Sequence, residues 1–285
     1  MKFLLSCLFV AIVGLSSDGL AVTIFEDGGT SDFAGADPTG AIVRDGPSGD
    51  PTTVNLLAGA DLGPTDIQDA SFLNVFDGTT VDDFDASGSA SLEISGGSHG
   101  TVDYLDGSSG LISGGSFVSC FPCLRLFANA NATVTGGTFS SPNQVVALAS
   151  GFSTLQIHGG SFTGIVRATD DSRIEIFGGG IERAQSLDQA TVVLYGDGFL
   201  ASEGATIVLD GFGEITDSFN GTITGELSDG SPLAIDALNG VVGSKIVLAP
   251  GAPSVPGLSD AARLSLALAL LAAGVLFTSA RVAEA

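Results

Sequence analysis

The most regular feature of the chain is a short alternation of apolar and polar positions that ends in a pair of glycines. Leu92-Glu93-Ile94-Ser95-Gly96-Gly97 is followed by His99. The form returns with Ile112, Gly114, Gly115 and Phe117, and again with Val134, Gly136, Gly137 and Phe139. Leu155, Ile157, Gly159, Gly160 and Phe162 give the next copy, then Ile174, Ile176, Gly178, Gly179 and Ile181. Val192, Leu194, Gly196, Asp197 and Phe199 continue it, and Ile207, Leu209 and Gly211 read as a degraded seventh copy. The second apolar positions, 94, 112, 134, 157, 176, 194 and 209, are spaced by 18, 22, 23, 19, 18 and 15 residues.

Alternation with period two puts Leu92 and Ile94 on one face of a strand and Glu93 and Ser95 on the other. Upstream of each copy a large apolar residue is followed by small and polar ones, as in Leu105-Asp106-Gly107-Ser108, Leu187-Asp188-Gln189-Ala190 and Leu200-Ala201-Ser202-Glu203. One repeat is thus a strand, a small-residue turn, a second strand and a Gly-Gly corner. No copy has enough apolar side chains for a core of its own, whereas stacked copies share a continuous one. Glycine supplies positive φ at the corner without a Cβ penalty. The aromatic three residues after the first glycine is expected to point inward and stack on its neighbours.

Repeats of about twenty residues with this alternation predict an all-β chain folded as a parallel β-helix, a solenoid. Leucine-rich repeats share the length but need a Leu/Asn signature and a helical arc, and a propeller needs blades of about forty residues. The pattern resembles the right-handed β-helix proteins of the pectin-lyase-like superfamily, in a degenerate Gly-Gly form, from Phe72 to Leu248. Right-handed winding follows from that resemblance and from the general rule for parallel crossovers. The repeats with a C-terminal cap are expected over residues 71–248, and the Gly/Asp/Pro-rich segment 22–70 as an N-terminal cap with long loops. Residues 219–248, with Gly221-Thr222-Ile223-Thr224-Gly225 and Ile246-Val247-Leu248, read as a last coil or a capping hairpin, and 249–254 as a linker.

Both ends are apolar and stand apart from this pattern. Residues 1–21 read as a secretory signal peptide: Lys2 is the positive n-region, 3–15 the apolar helix, and Gly19-Leu20-Ala21 the cleavage site before Val22. A lipobox at Leu4-Leu5-Ser6-Cys7 is disfavoured, because too little apolar sequence precedes Cys7. Residues 255–285 contain Val255-Pro256-Gly257-Leu258-Ser259, an apolar run at 264–280 long enough for a short transmembrane helix, and Arg281. Through Val255, Pro256, Leu258, Ser259 and Arg281 this tail resembles the bacterial IPTL-CTERM and PEP-CTERM sorting signals, with Gly257 in place of their Thr and Glu284 as an acidic departure. The resemblance implies export machinery, an exosortase-like sorting enzyme, transient anchoring through the C-terminal helix, and residence in the cell envelope, at the outer surface or in extracellular matrix. An ordinary membrane anchor has the same shape, as does a GPI signal in a eukaryotic source.

Charge narrows the partners. Nine Lys+Arg against 32 Asp+Glu give a net charge of −23, which disfavours nucleic acid and anionic surfaces. Cys120 and Cys123 are the only cysteines left after signal removal. In an exported chain so close a pair is expected as a local disulfide. A zinc site needs two more ligands, and the chain has only His99 and His158. No cofactor, metal site or catalytic residue is assigned.

A polysaccharide lyase needs a basic residue beside a calcium site or in a basic pocket. The best enzyme candidate is the surface cluster Arg167, Asp170, Asp171, Arg173 and Glu175, although exposed ion pairs of this kind are common and weakly stabilising. A hydrolase groove needs sugar-stacking aromatics, and the chain has no Trp, only Tyr104 and Tyr195, and phenylalanines at core positions. Asp77, Gly78, Asp82, Asp83 and Asp85 form an acidic cluster, read as a solvated turn before a weak calcium site. The expectation is a non-enzymatic structural or adhesive protein, with extracellular polysaccharide as a partner. A polysaccharide-active lyase or hydrolase and a weak calcium-binding module are the alternatives.

Overall fold

The computed structural model describes residues 14–15, 21–118, 120–216, 218–239 and 243–251. These residues wind as a parallel β-solenoid of about nine turns, with no helix among them. Of the expected linker 249–254, Ala249 and Pro250 belong to the strand Lys245–Pro250 instead; its residues 252–254, the sorting tail with its helix at 264–280, and the signal segment apart from Gly14–Leu15 and Ala21 lie outside the described residues. Gly14–Leu15 pairs antiparallel with Ala21 and Val22.

Each turn holds three short strands, so successive turns build three parallel sheets, called here I, II and III. One turn is Phe84–Ala86 in sheet I, Ser91–Ile94 in sheet II and Ser98–His99 in sheet III. In the next turn Val102 lies on Phe84, Ser109 on Ser91 and Ser116 on Ser98. Further along, the sheet III strand of one turn runs through a bulge into the sheet I strand of the next, as in Thr138–Ala149 and Ser161–Ala168.

The stacking turns the sequence repeat into columns of like residues. Ile94, Ile112, Val134, Ile157, Ile176 and Leu194 form one buried column inside sheet II. Inside sheet III the column is Val81, His99, Phe117, Phe139, Phe162 and Ile181. Phe117 and Phe139 stack at 4.5 Å with 2° between their planes, and Phe139 and Phe162 at 4.6 Å and 4°. Parallel strands repeat every ~4.8 Å, so identical rotamers on successive turns must stack nearly face to face. Volume is complementary between columns as well. A Cβ on Gly110 would come within 2.1 Å of the Tyr104 hydroxyl, which donates to Leu92 O at 3.2 Å. Gly110 leaves the space that buried Tyr104 fills.

The two glycines of a corner have different tasks. The second takes positive φ, 96° at Gly137 and 94° at Gly160, well beyond the left-handed region that Asp or Asn enters. The first has no positive φ but faces the previous turn: a Cβ on Gly159 would sit 2.5 Å from Thr135 O. At the sheet I–II turn the left-handed residue has φ near 56°, and there Asp106, Asp170 and Asp188 serve.

That division explains both departures from the expected boundaries. The segment 22–70 contains coils of the same solenoid, in place of a separate cap with long loops. Thr53–Leu56 stacks under Phe72–Val75, Thr65–Ile67 under Phe84–Ala86, and Val43, Leu56 and Ile67 are fully buried. Its corner at Ala58-Gly59, like the next one along the chain at Asp77-Gly78, keeps glycine only at the second position, with φ of 92° and 78°. At the other end Gly196-Asp197 keeps only the first, and no parallel sheet III strand begins there. Thr191–Glu203 continues through a bulge between Asp197 and Leu200, with Gly198 at φ 62°, and pairs antiparallel with Thr206–Asp210. The degraded copy Ile207–Leu209–Gly211 therefore belongs to a hairpin, with Ile207 61% exposed, and Leu200-Ala201-Ser202-Glu203 is strand, not turn. The coil that follows Leu194 is Lys245–Pro250, and Phe219–Leu227 with Pro232–Asn239 forms an antiparallel hairpin against that end.

Two stability predictions follow from the columns. Ile157 is fully buried, so Ile157→Asp places an unpaired charge between turns and should cost about 4 kcal/mol or more. A urea midpoint equal to that of the parent chain would show the inward face to be misassigned. His99 is the one polar ring in its column. Its Nε2 lies 2.7 Å from Gly96 O, while its buried Nδ1 has no partner. Burial holds its pKa below the ordinary value. His99→Phe completes the phenylalanine stack and should raise the melting temperature by about 2–4 °C, the shift expected for ~1 kcal/mol. The unfolded chain takes up this proton first, so histidine-linked stability is lost as pH falls below about 6.5. The advantage of the Phe variant should widen in that window.

Candidate functional site

The polar chemistry of the chain lies on the outward positions of sheets I and II. The predicted cluster is divided between them. Arg167 projects from Ser161–Ala168 in sheet I, and its Nε donates to Gln185 Oε1 at 2.9 Å. Arg173 and Glu175 project from Arg173–Ile176 in sheet II and pair at 2.7 Å. Gln156 Nε2 donates to Glu175 at 2.9 Å and Tyr195 Oη at 3.3 Å. Burial alone would raise the Glu175 carboxyl, but the Arg173 and Gln156 donors hold it below its ordinary value. Asp170 and Asp171 occupy the turn between the sheets. The Asp170 carboxylate accepts from Ser150 Oγ and from Gly151 N, which lowers its pKa. The five residues form an ion pair, a capped turn and a separate arginine, with no pocket in common.

Sheet I carries a set of residues that the sequence pattern did not bring together. Asp66, Asp85, Asp103 and Arg125 stand on successive turns in one outward column. Arg125 Nε donates to Asp103 Oδ1 at 2.5 Å and Nη2 to Oδ2, a bidentate grip on a carboxylate only 6% exposed. Burial raises the Asp103 pKa, Arg125 opposes it, and the like charge of Asp85 adds to the rise. Asp66 is raised by burial and by Asp85. The signal available was the offset: each aspartate immediately precedes the last inward residue of its sheet I strand, Ile67, Ala86 or Tyr104. Among the described residues no group of three or more His, Cys, Asp or Glu side chains is arranged to hold a metal ion.

Cys120 and Cys123 are joined by a disulfide, closing a loop whose cis Phe121-Pro122 presents Phe121 63% exposed. The two histidines face opposite ways. His99 is inside sheet III, whereas His158 lies outside sheet II, where it stacks on Phe177 at 4.4 Å and Phe177 on Tyr195 at 4.3 Å. The outward face of sheet II also bears Phe72 and Phe76, 43% and 44% exposed. Between those phenylalanines and His158 lie three turns whose outward residues are Ser91, Ser95, Ser109, Ser113, Asn131 and Thr135 at the margins and Glu93, Leu111 and Thr133 along the middle. A depression of about 80 Å³ opens at the foot of Phe76, lined by Glu93, Ser95, Leu111 and Ser113 among others. Phe76, His158, Phe177 and Tyr195 lie one residue beyond the last inward position of their strands, where two other turns carry Ser95 and Ser113, so the alternation does not mark them.

The aspartate column predicts a pH dependence. A carboxyl whose folded pKa is raised contributes stability that is fully present below its unfolded value, near pH 4, and is lost as pH rises through the folded value. Asp85→Asn removes the middle like charge. It should therefore stabilise the chain at pH 7 by up to ~1 kcal/mol and make no difference near pH 3, read from urea midpoints at the two pH values. Equal midpoints at pH 7 would mean that relief of the carboxylate repulsion does not exceed the attraction of Asp85 to Arg125 that the substitution also removes. No protein-family model matches this chain, and no curated protein or solved structure matches it.

Proposed function

We propose that the chain is an exported, envelope-sorted right-handed parallel β-helix with a non-enzymatic structural or adhesive role at the cell surface or in extracellular matrix. The observation that carries this reading is the division of the basic residues. Lyase chemistry would need Arg167 and Arg173 in one pocket, and they belong to different sheets, one bonded to Gln185 and the other to Glu175. Arg167 ties its turn to the next through Gln185, and Arg173 is neutralised within its own strand by Glu175. A long stacked surface suits adhesion, because it offers area without an enclosed cavity. The signal peptide at 1–21 and the Val255-Pro256-Gly257-Leu258-Ser259 tail with Arg281 supply the route: export, then processing by an exosortase-like enzyme.

The test is fractionation of cells expressing the full chain, with intact mass of the product. The expected product lacks residues 1–21 and the segment beyond about Val255, and is found in the envelope or matrix fraction. A product that still holds 264–280 in the membrane would overturn sorting. Cleavage of polygalacturonate by the purified product, lost on Arg167→Ala or Arg173→Ala, would overturn the non-enzymatic role.

A further inference from the structure

We propose that the outward face of sheet II between Phe72/Phe76 and His158 binds an extended neutral glycan. The proposal rests on the adhesive reading above and gives it a ligand class. Three features converge on it. The first is a pair of aromatic walls on one sheet face. Backbone hydrogen bonds fix the register: Ser95 N to Val75 O, Ser113 N to Ile94 O, Thr135 N to Ile112 O and His158 N to Val134 O. Phe76 and His158 thus occupy the same column four turns apart, about 19 Å at the parallel-strand repeat. Phe72, at the other end of its strand, broadens the first wall. The stack of His158 on Phe177 and Tyr195, within 2° of coplanar at each step, stiffens the second.

The second feature is the floor. Ser95 Oγ donates to Val75 O at 3.0 Å and Ser113 Oγ to Ile94 O at 3.4 Å. Each hydroxyl spends its proton on the turn below and keeps its acceptor lone pairs for solvent or ligand. Exposed Thr135 and Asn131 add further hydroxyl and amide groups. Aromatic walls take up the apolar C–H faces of sugar rings, and a floor of acceptors takes up their hydroxyls.

The third feature is charge. Arg173 is the cation beside this face, and Glu175 neutralises it. Glu93 stands exposed on the floor, and the chain carries −23 overall. An anionic polymer is therefore repelled. A protein partner of ordinary kind wants an apolar patch centre, and here the centre holds one apolar side chain, Leu111, among Glu93, Ser95, Ser113 and Thr133. A linear neutral glycan fits walls, floor and charge together, lying along the solenoid axis.

The experiment measures retention of the processed chain, purified from cells, on cellulose, β-1,3-glucan and amylose, with polygalacturonate as the anionic comparison. The expected result is saturable binding to at least one neutral glycan and none to polygalacturonate. Phe72→Ala/Phe76→Ala should weaken binding at least about tenfold. Ser113→Phe, which fills the floor, should do the same, and both variants should keep the parent melting temperature. Failure to bind any of the three neutral glycans overturns the proposal, as does binding that both variants leave intact. Self-association lost on Phe72→Ala/Phe76→Ala would assign the walls to a second copy of the chain and also overturn it. Correct sorting with no glycan retention would sink this proposal and leave the adhesive reading standing. Retention accompanied by release of reducing ends would do the reverse.

Discussion

Every other feature of the molecule depends on one constraint, the ~4.8 Å hydrogen-bonded repeat between parallel turns. A single turn has a few apolar side chains and cannot exclude water from them. Stacked in register, each turn covers the next, and the apolar positions fuse into columns such as Ile94–Ile112–Val134. The same repeat dictates ring geometry. Isolated aromatic pairs prefer offset or edge-to-face contact, yet Phe117, Phe139 and Phe162 stack almost coplanar because their backbones are held one strand apart. It dictates the corners too. A first glycine lets the turn approach its neighbour's carbonyl, and a second supplies the φ that redirects the chain.

Outside the solenoid, register is a liability as often as a benefit, because it lays like charges over one another. The chain meets this in several ways. Asp103 is gripped by Arg125 on the following turn. Asn74 donates to Asn55 at 2.9 Å and Asn55 to Asp32 at 2.8 Å, which makes a ladder of amides where a row of carboxylates would repel. Asp170 spends its charge on Ser150 and Gly151 of the turn below. An acidic surface of this kind stays soluble while its individual carboxylates serve as ties between turns.

The columns inside were legible in the sequence because alternation and the Gly-Gly pair announce them, and the inward stack after the corner followed from the same count. What misled the reading was weighting both glycines equally. Only the second has a conformation that other residues resist, so Ala58-Gly59 and Asp77-Gly78 still turn, whereas after Gly196-Asp197 the chain continues through a bulge into an antiparallel strand. A search for a positive-φ glycine at the second position alone finds the corner at Ala58-Gly59, whereas the first coil turns at Gly35 without one. The outward chemistry was less legible for a different reason. Asp66, Asp85 and Asp103 become neighbours only when the register across turns of unequal length is known, and turn length varies through the disulfide loop Cys120–Cys123 and the bulge after Ser140. Phe72 and Phe76 looked like core residues because phenylalanine usually is one.

The failure of the corner at Asp197 has a structural consequence at the end of the stack. A solenoid that simply stopped would leave its last parallel strands as open edges, templates for pairing with any other chain. Here the released segment returns on the stack. Gly213–Thr216 pairs antiparallel with Lys245–Pro250, the last strand of sheet II, and Phe219–Leu227 pairs with Pro232–Asn239, the last strand of sheet I. Antiparallel pairing reverses the chain direction, so the parallel register cannot propagate past it. The edge that remains is short, and Gly211, Gly213 and Asp210 interrupt it. The segment that leaves the solenoid path after Gly196-Asp197 is thus the device that covers the last coil and ends the stack.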